Sequence, residues 1–245
     1  MRHCRLDQRV LPRKLWYAYE LTGDEELKKR AIEYTNILNP IRELKGTHDV
    51  GFMMNCSYGN ALRLAPNDTI KAVLVETADN LCARFNPEIG CIRSWDFGAW
   101  NFPVIIDNMM NLDLLFYATR LTGDDKYKEL ALTHARTTMK NHFRDDYSSY
   151  HVVSYNNDGT VEKKCTHQER VTHRHGRADK HGDYMATHPV IASLRMCNFA
   201  AGRKYSLVNH ATRKDGRCSS LVDYDAPDTP QTPRDASAAA ITASA

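Results

Sequence analysis

The chain is notable first for what it has little of. Its 33 basic and 30 acidic residues leave a net charge of only +3, too small to argue for a nucleic-acid or membrane-surface partner, though it permits an acidic ligand. Seven cysteines are an odd number, and no two stand in a CxxC pair. Neither a disulfide framework nor a cysteine zinc site is therefore indicated. The opening "MRHCRLDQRVLPRKLWYAYE" has no apolar run long enough for a secretory signal, and no later run is long enough for a membrane span. As written, the chain reads as cytoplasmic. A leader lost from the true N-terminus would make it periplasmic or secreted. At 245 residues with 42% apolar content, it has the size of one large domain.

What is present is a repeat. "LWYAYELTGDEELKKRAIEYTNIL" begins at Leu15 and "LLFYATRLTGDDKYKELALTHART" at Leu114. Each has an apolar helix end, the turn Leu-Thr-Gly-Asp, and a second amphipathic helix. Gly is suited to close the first helix and Asp to cap the next. "NALRLAPNDTIKAVLVETADNLCARF", from Asn60, has the same grammar with Pro-Asn-Asp as its turn. Stacked helical hairpins follow, either as an open solenoid or as a closed toroid. Long polar and aromatic loops such as "GTHDVGFMMNCSYGN" and "CIRSWDFGAWNFP" join them, and loops of that kind commonly carry function. "YSSYHVVSYNNDGTVEKK" alternates like a β-hairpin, placed near residues 147–163 and turning at Asn157-Asp158-Gly159.

Two aspartates stand in similar settings. Asp49 in "THDVGFMMN" and Asp107 in "IIDNMMN" each precede a Met pair at a loop-to-helix junction. "FPVIIDNMMNLDLLFYATRL" reads as the start of a buried helix, with Asp107, Asn108 and Asn111 among apolar neighbours. The plain reading of such residues is helix capping. The chemical reading is a carboxylate pair, in which burial raises one pKa for acid–base work. Taken singly, His48, His151 and His167 read as surface histidines in loops. Trp95 and Trp100 read either as a sugar-stacking platform or as core.

Five segments, "THDVGFMM", "GCIRSWD", "VIIDNMMNLDLLFYATRLTGD", "SSYHVVSYNNDGTV" and "CTHQ", occur in the order found in glycoside hydrolase family 88, the unsaturated glucuronyl hydrolases. The resemblance runs from about Leu15 to Gln168 and returns at "VDYDAPDTPQTPRDASAAA" from Val222. It implies an all-α (α/α)6 toroid and hydration of a 4,5-unsaturated uronic acid at the non-reducing end of a lyase-generated oligosaccharide. Asp107 matches the family's general acid/base and Asp49 its second aspartate. His151, His167 and Gln168 match substrate contacts, with His48 and Trp95 following by neighbourhood. The resemblance implies no cofactor and no metal. The implied partner is an unsaturated oligosaccharide, not nucleic acid or membrane, with the protein a monomer or homodimer. The alternatives left open are an unsaturated rhamnogalacturonyl hydrolase, a non-catalytic carbohydrate-binding helical protein, and an inactive product of a decayed gene.

The resemblance fails over residues 1–14 and 169–221. The second stretch carries His173, His175 and His181 without regular ligand spacing. Codons chosen for Glu169–Thr187, read in another frame, encode the family's missing "WARGQAW". Codons for Leu6–Lys14 likewise yield "WTSGFFPG". Both stretches are therefore expected to be out-of-frame and poorly ordered parts of a single catalytic domain, with the toroid incomplete and activity reduced or absent.

Overall fold

The computed structural model describes residues 6–143, 150–165, 220–221 and 234–235. The chain forms two compact units. The first comprises Met1–Asn86, Ile92–Asp96 and Asn111–Leu132, and the second Pro87–Cys91, Phe97–Met110 and Thr133–Ala245.

The first unit is helical. Helices α1 (Leu6–Thr22) and α2 (Glu25–Ile37) form a hairpin, so Leu6–Lys14 is the first half of a helix. Gly23 ends α1 with φ of 69° and donates its N–H to Tyr19 O at 2.7 Å. A side chain is rarely accommodated at that φ. Asp24 then caps α2 by accepting the Glu26 N–H at 2.8 Å. Trp16, fully buried against Ala31 and Ala61, ties the hairpin down and donates its Nε1–H to Thr35 Oγ1 at 3.0 Å. Truncating such an aromatic to Ala costs about 3–5 kcal/mol.

A short 3-10 turn (Asn39–Glu43) leads to α3 (Val50–Met54), a π-helical turn (Asn55–Gly59) and α4 (Asn60–Leu64). The Pro66–Asn67 turn follows, and Asn67 caps α5 (Asp68–Cys82) by accepting the Ile70 N–H at 2.8 Å. The two-residue strands β1 (Phe85–Asn86) and β2 (Cys91–Ile92) come next. Helix α6 (Leu112–Thr122) repeats the end of α1. Gly123 has φ of 76° and donates to Thr119 O at 2.8 Å. Asp124 accepts the Lys126 N–H at 2.9 Å at the start of α7 (Lys126–His142). The threonines match as well: Thr22 donates its hydroxyl to Ala18 O, and Thr122 to Ala118 O, both at 2.8 Å.

The second unit holds a three-stranded antiparallel sheet in the order β3 (Phe102–Ile105), β4 (Val152–Tyr155), β5 (Val161–Cys165). The β4–β5 hairpin is the one expected, turning through Gly159 at φ of 80°. The third strand is a correction. Phe102–Ile105 is extended where the sequence suggests a helix start. Pro103 cannot donate within a helix, and Val104 and Ile105 are β-branched. On an edge strand the missing N–H is tolerated. Ile89, Cys91, Phe102, Val104, Val153 and Tyr155 pack as its core. Burial pushes the Cys91 thiol up to about 12, against hydrogen bonds to Tyr155 and Thr137 that pull it down. Strands β6 (Ser220–Leu221) and β7 (Arg234–Asp235) pair antiparallel. The segment 169–221 otherwise lies outside the described residues. No helix among the described residues is long and apolar enough to cross a membrane.

Candidate active site

In the first unit, three of the expected residues come together at the entrance to α3. His48 donates its N–H to Ser94 O at 3.1 Å, and Thr47 pairs as an isolated bridge with Trp95. The His48 ring is buried, 3% exposed, and its Nε2 lies 3.0 Å from Oδ1 of Asp49, whose side chain is 31% exposed. His48 is therefore not the surface histidine its loop position suggests. The pairing with the Ser94–Trp95 segment carries it inward.

That segment is itself held tightly. Arg84 grips Asp96 through two bonds, Nη1 to Oδ2 at 2.9 Å and Nη2 to Oδ1 at 3.1 Å. Its Nε–H donates to Arg93 O at 2.9 Å, and Nη1 also reaches Lys45 O. Arg93 in turn donates from Nε to Trp95 O at 3.0 Å. The hydrogen bonds from Arg84 hold the Asp96 carboxyl below its usual range. Trp95 and Trp100 are both buried, at 8% and 9% exposure.

Asp49 occupies the cap position of α3, yet its side chain makes no cap hydrogen bond. The Phe52 N–H donates instead to Oδ1 of Asn111, 59 residues along the chain, at 2.8 Å. Asn111 is 1% exposed. It stands at the cap position of α6 but makes no cap bond there. The sequence flags Asn111 as polar among apolar neighbours; the role it takes is that of a cap for another helix.

In the second unit, Asp107 sits in a 3-10 turn (Ile106–Asn111) directly after β3. It is 4% exposed, and Asn108 beside it is fully buried. Helix α6 begins only at Leu112, five residues beyond Asp107, so Asp107 is not in its first turn. The turn is anchored to the sheet: Ile106 donates its N–H to His151 O at 3.0 Å, continuing the β3–β4 pairing. Asp107 and His151 thus sit on adjoining backbone, and His151 is half-buried. His167 and Gln168 lie outside the described residues.

A further buried histidine, not singled out in the sequence, supports β3. His142 donates from Nε2 to Val104 O at 3.1 Å, which fixes the tautomer because a carbonyl only accepts. Its Nδ1 is buried with no hydrogen-bond partner among the described residues. Burial lowers its pKa to about 4, opposed by the bond to Val104 and aided by Lys164 and His151.

The first unit thus pairs His48 with Asp49 at the entrance to α3, and the second buries Asp107 directly after β3. No family profile matches the chain. The chain is 40% identical over 242 residues to the unsaturated glucuronyl hydrolase of Formosa agariphila, covering 96% of this chain and 60% of that protein. It is 32% identical over 150 residues to the unsaturated chondroitin disaccharide hydrolase of Streptococcus agalactiae, covering 58% of this chain and 37% of that one. Among solved structures, a crystal structure of an unsaturated glucuronyl hydrolase specific for heparin matches with a TM-score of 0.76 and 42% identity. That match covers 96% of this chain and 64% of the other. The chain thus spans about three-fifths of the length of the fuller of these relatives. Over nearly its whole length the chain is similar to unsaturated glucuronyl hydrolases. The fold expected from its sequence, the (α/α) toroid, is the fold of these structures.

Proposed function

We propose that this protein removes a 4,5-unsaturated uronic acid from the non-reducing end of a glycosaminoglycan-derived oligosaccharide. The observation that carries this reading is the 40% identity to an unsaturated glucuronyl hydrolase over 242 residues. Asp107 is the acid: burial favours the protonated form of a carboxyl, and a protonated carboxyl has a proton to give. That proton goes to C4 of the C4=C5 enol ether, and water, losing its proton back to the carboxylate, adds at C5. The hemiketal formed opens to a C5 ketone, and the open-chain hemiacetal left at C1 releases the shortened oligosaccharide. Asp49, held by His48, is the second aspartate and orients the reacting groups. His151, His167, Gln168 and Trp95 are assigned to the sugar. The relatives' names make heparin- and chondroitin-derived disaccharides the first substrates to try.

Turnover is read as loss of the ultraviolet absorbance of the C4=C5 bond. Asp107→Asn is expected to lower kcat by about 10²- to 10⁴-fold, the range for removing a general acid, while helix content is unchanged. An Asn variant that turns over at the wild-type rate would remove Asp107 from the mechanism.

The reading-frame proposal is carried on the two alternative-frame segments, "WTSGFFPG" and "WARGQAW". Resequencing the gene across the codons for Cys4–Trp16 and Thr166–Asp223 is expected to show single-base corrections that restore both. Confirmation of the chain as given, with neither segment encoded in any frame, would end it.

A further inference from the structure

A helix leaves its first N–H groups to be satisfied from outside its own ladder. At the start of α3, Gly51 N–H donates to His48 O at 3.2 Å and Met53 N–H to Asp49 O at 3.1 Å. Between them, Phe52 N–H is the donor that a cap side chain would take. Asp49, just before the helix, does not take it: its backbone is already helical, with φ of −59° and ψ of −16°, whereas a capping residue is extended. Asn111 takes it, at 2.8 Å. The approach is close: a Cβ on Gly51 would come within 2.6 Å of Asn111 Cβ and 2.8 Å of its Cα. Glycine at position 51 and asparagine at 111 are therefore fitted to each other. The Asp49 carboxylate, meanwhile, lies 3.0 Å from the His48 ring.

We propose that Asn111 is a positioning residue for Asp49. By accepting the Phe52 N–H, its amide oxygen fixes the turn of α3 from which the Asp49 carboxylate reaches the His48 ring. The carboxylate is thereby kept on His48. This rests on the reading of Asp49 as the second aspartate of the reaction, and it names a residue that touches neither substrate nor reacting atoms.

Asn111→Leu removes the acceptor at similar size, and Asn111→Asp keeps an acceptor oxygen at the same reach. Both are compared with wild type in the full chain by steady-state turnover of an unsaturated disaccharide and by the ¹⁵N signal of the His48 ring without substrate. In the Leu variant kcat is expected to fall on the order of 10- to 100-fold, the scale of a misplaced catalytic group, with KM nearly unchanged. The His48 signal should shift as Asp49 leaves it. The Asp variant should restore both. A merely structural role would lower stability and leave kcat per folded molecule and the His48 signal as they were, and either result would overturn the proposal. Should the Leu variant not fold, Asn111→Ala makes the same comparison. If the wild type turns over nothing, the proposed activity fails, and the His48 signal alone still decides whether Asn111 positions Asp49.

Discussion

Asp24 and Asp124 follow the glycines of two identical turns, and each accepts the N–H of the residue two further on, at 2.8 and 2.9 Å. Asp49 also stands at a helix entrance, but with a helical backbone, and makes no such bond. Asp107, in the turn that precedes α6, is five residues too early for it. In the first pair the carboxylate serves its own backbone. At Asp49 the backbone is helical, the N–H a cap would take goes to a distant amide, Asn111, and the carboxylate lies beside a histidine. Capping is thus set by the backbone at the helix entrance, extended at Asp24 and helical at Asp49. An aspartate that does not cap can serve another group.

The largest expected effect tests that division directly. Asp107→Asn should cost about 10²- to 10⁴-fold in kcat, whereas Asp24→Asn should leave turnover within about twofold, because an amide oxygen caps nearly as well as a carboxylate. If both substitutions were neutral, the comparison would describe packing and nothing more.

A smaller effect sharpens the contrast between the exposed turns and the buried support of β3. His142 has its folded-state pKa lowered to about 4, first by burial. The unfolded chain takes up a proton near pH 6.5 where the folded protein does not. Stability should therefore be fully present above about pH 6.5, fall as the pH drops toward 4, and level off below it. The full loss is about 3 kcal/mol from the linkage relation. Urea unfolding at a series of pH values should show this slope in wild type and a shallower one in His142→Gln. Equal slopes would mean that His142 is protonated in the folded protein, or that other groups dominate its acid limb.

Much of this was legible because it is local. The two Leu-Thr-Gly-Asp turns announce their glycines and caps within four residues, and the Asn157-Asp158-Gly159 hairpin does the same. What was not legible depends on residues far apart. Phe102–Ile105 becomes a strand because β4, some fifty residues later, pairs with it. His48 is drawn inward by Ser94 and Trp95. Asn111 declares itself as polar, but only the fold shows that the N–H it satisfies belongs to Phe52. Asp107 and Asp49 stand out by the Met pairs that follow them, but only the resemblance gives them roles, since the plain reading of such residues is capping.

The smallest effect is also the cleanest control. Asp24→Ala and Asp124→Ala each remove one cap bond from an exposed helix start, and each should cost about 1 kcal/mol of stability with kcat unchanged. Thermal unfolding and turnover measured on the same samples check both halves of that statement. The Asn versions should recover nearly all of the lost stability, since the acceptor oxygen is retained. Asp49→Asn retains the same oxygen but loses its charge beside His48, so it should keep its stability and lose turnover. The same isosteric change, made at three helix entrances, would then separate a carboxylate needed for its shape from one needed for its charge. A loss of turnover at Asp24 or Asp124 of the size seen at Asp49 would break the comparison, because those turns would then be communicating with the site by a route their own hydrogen bonds do not provide.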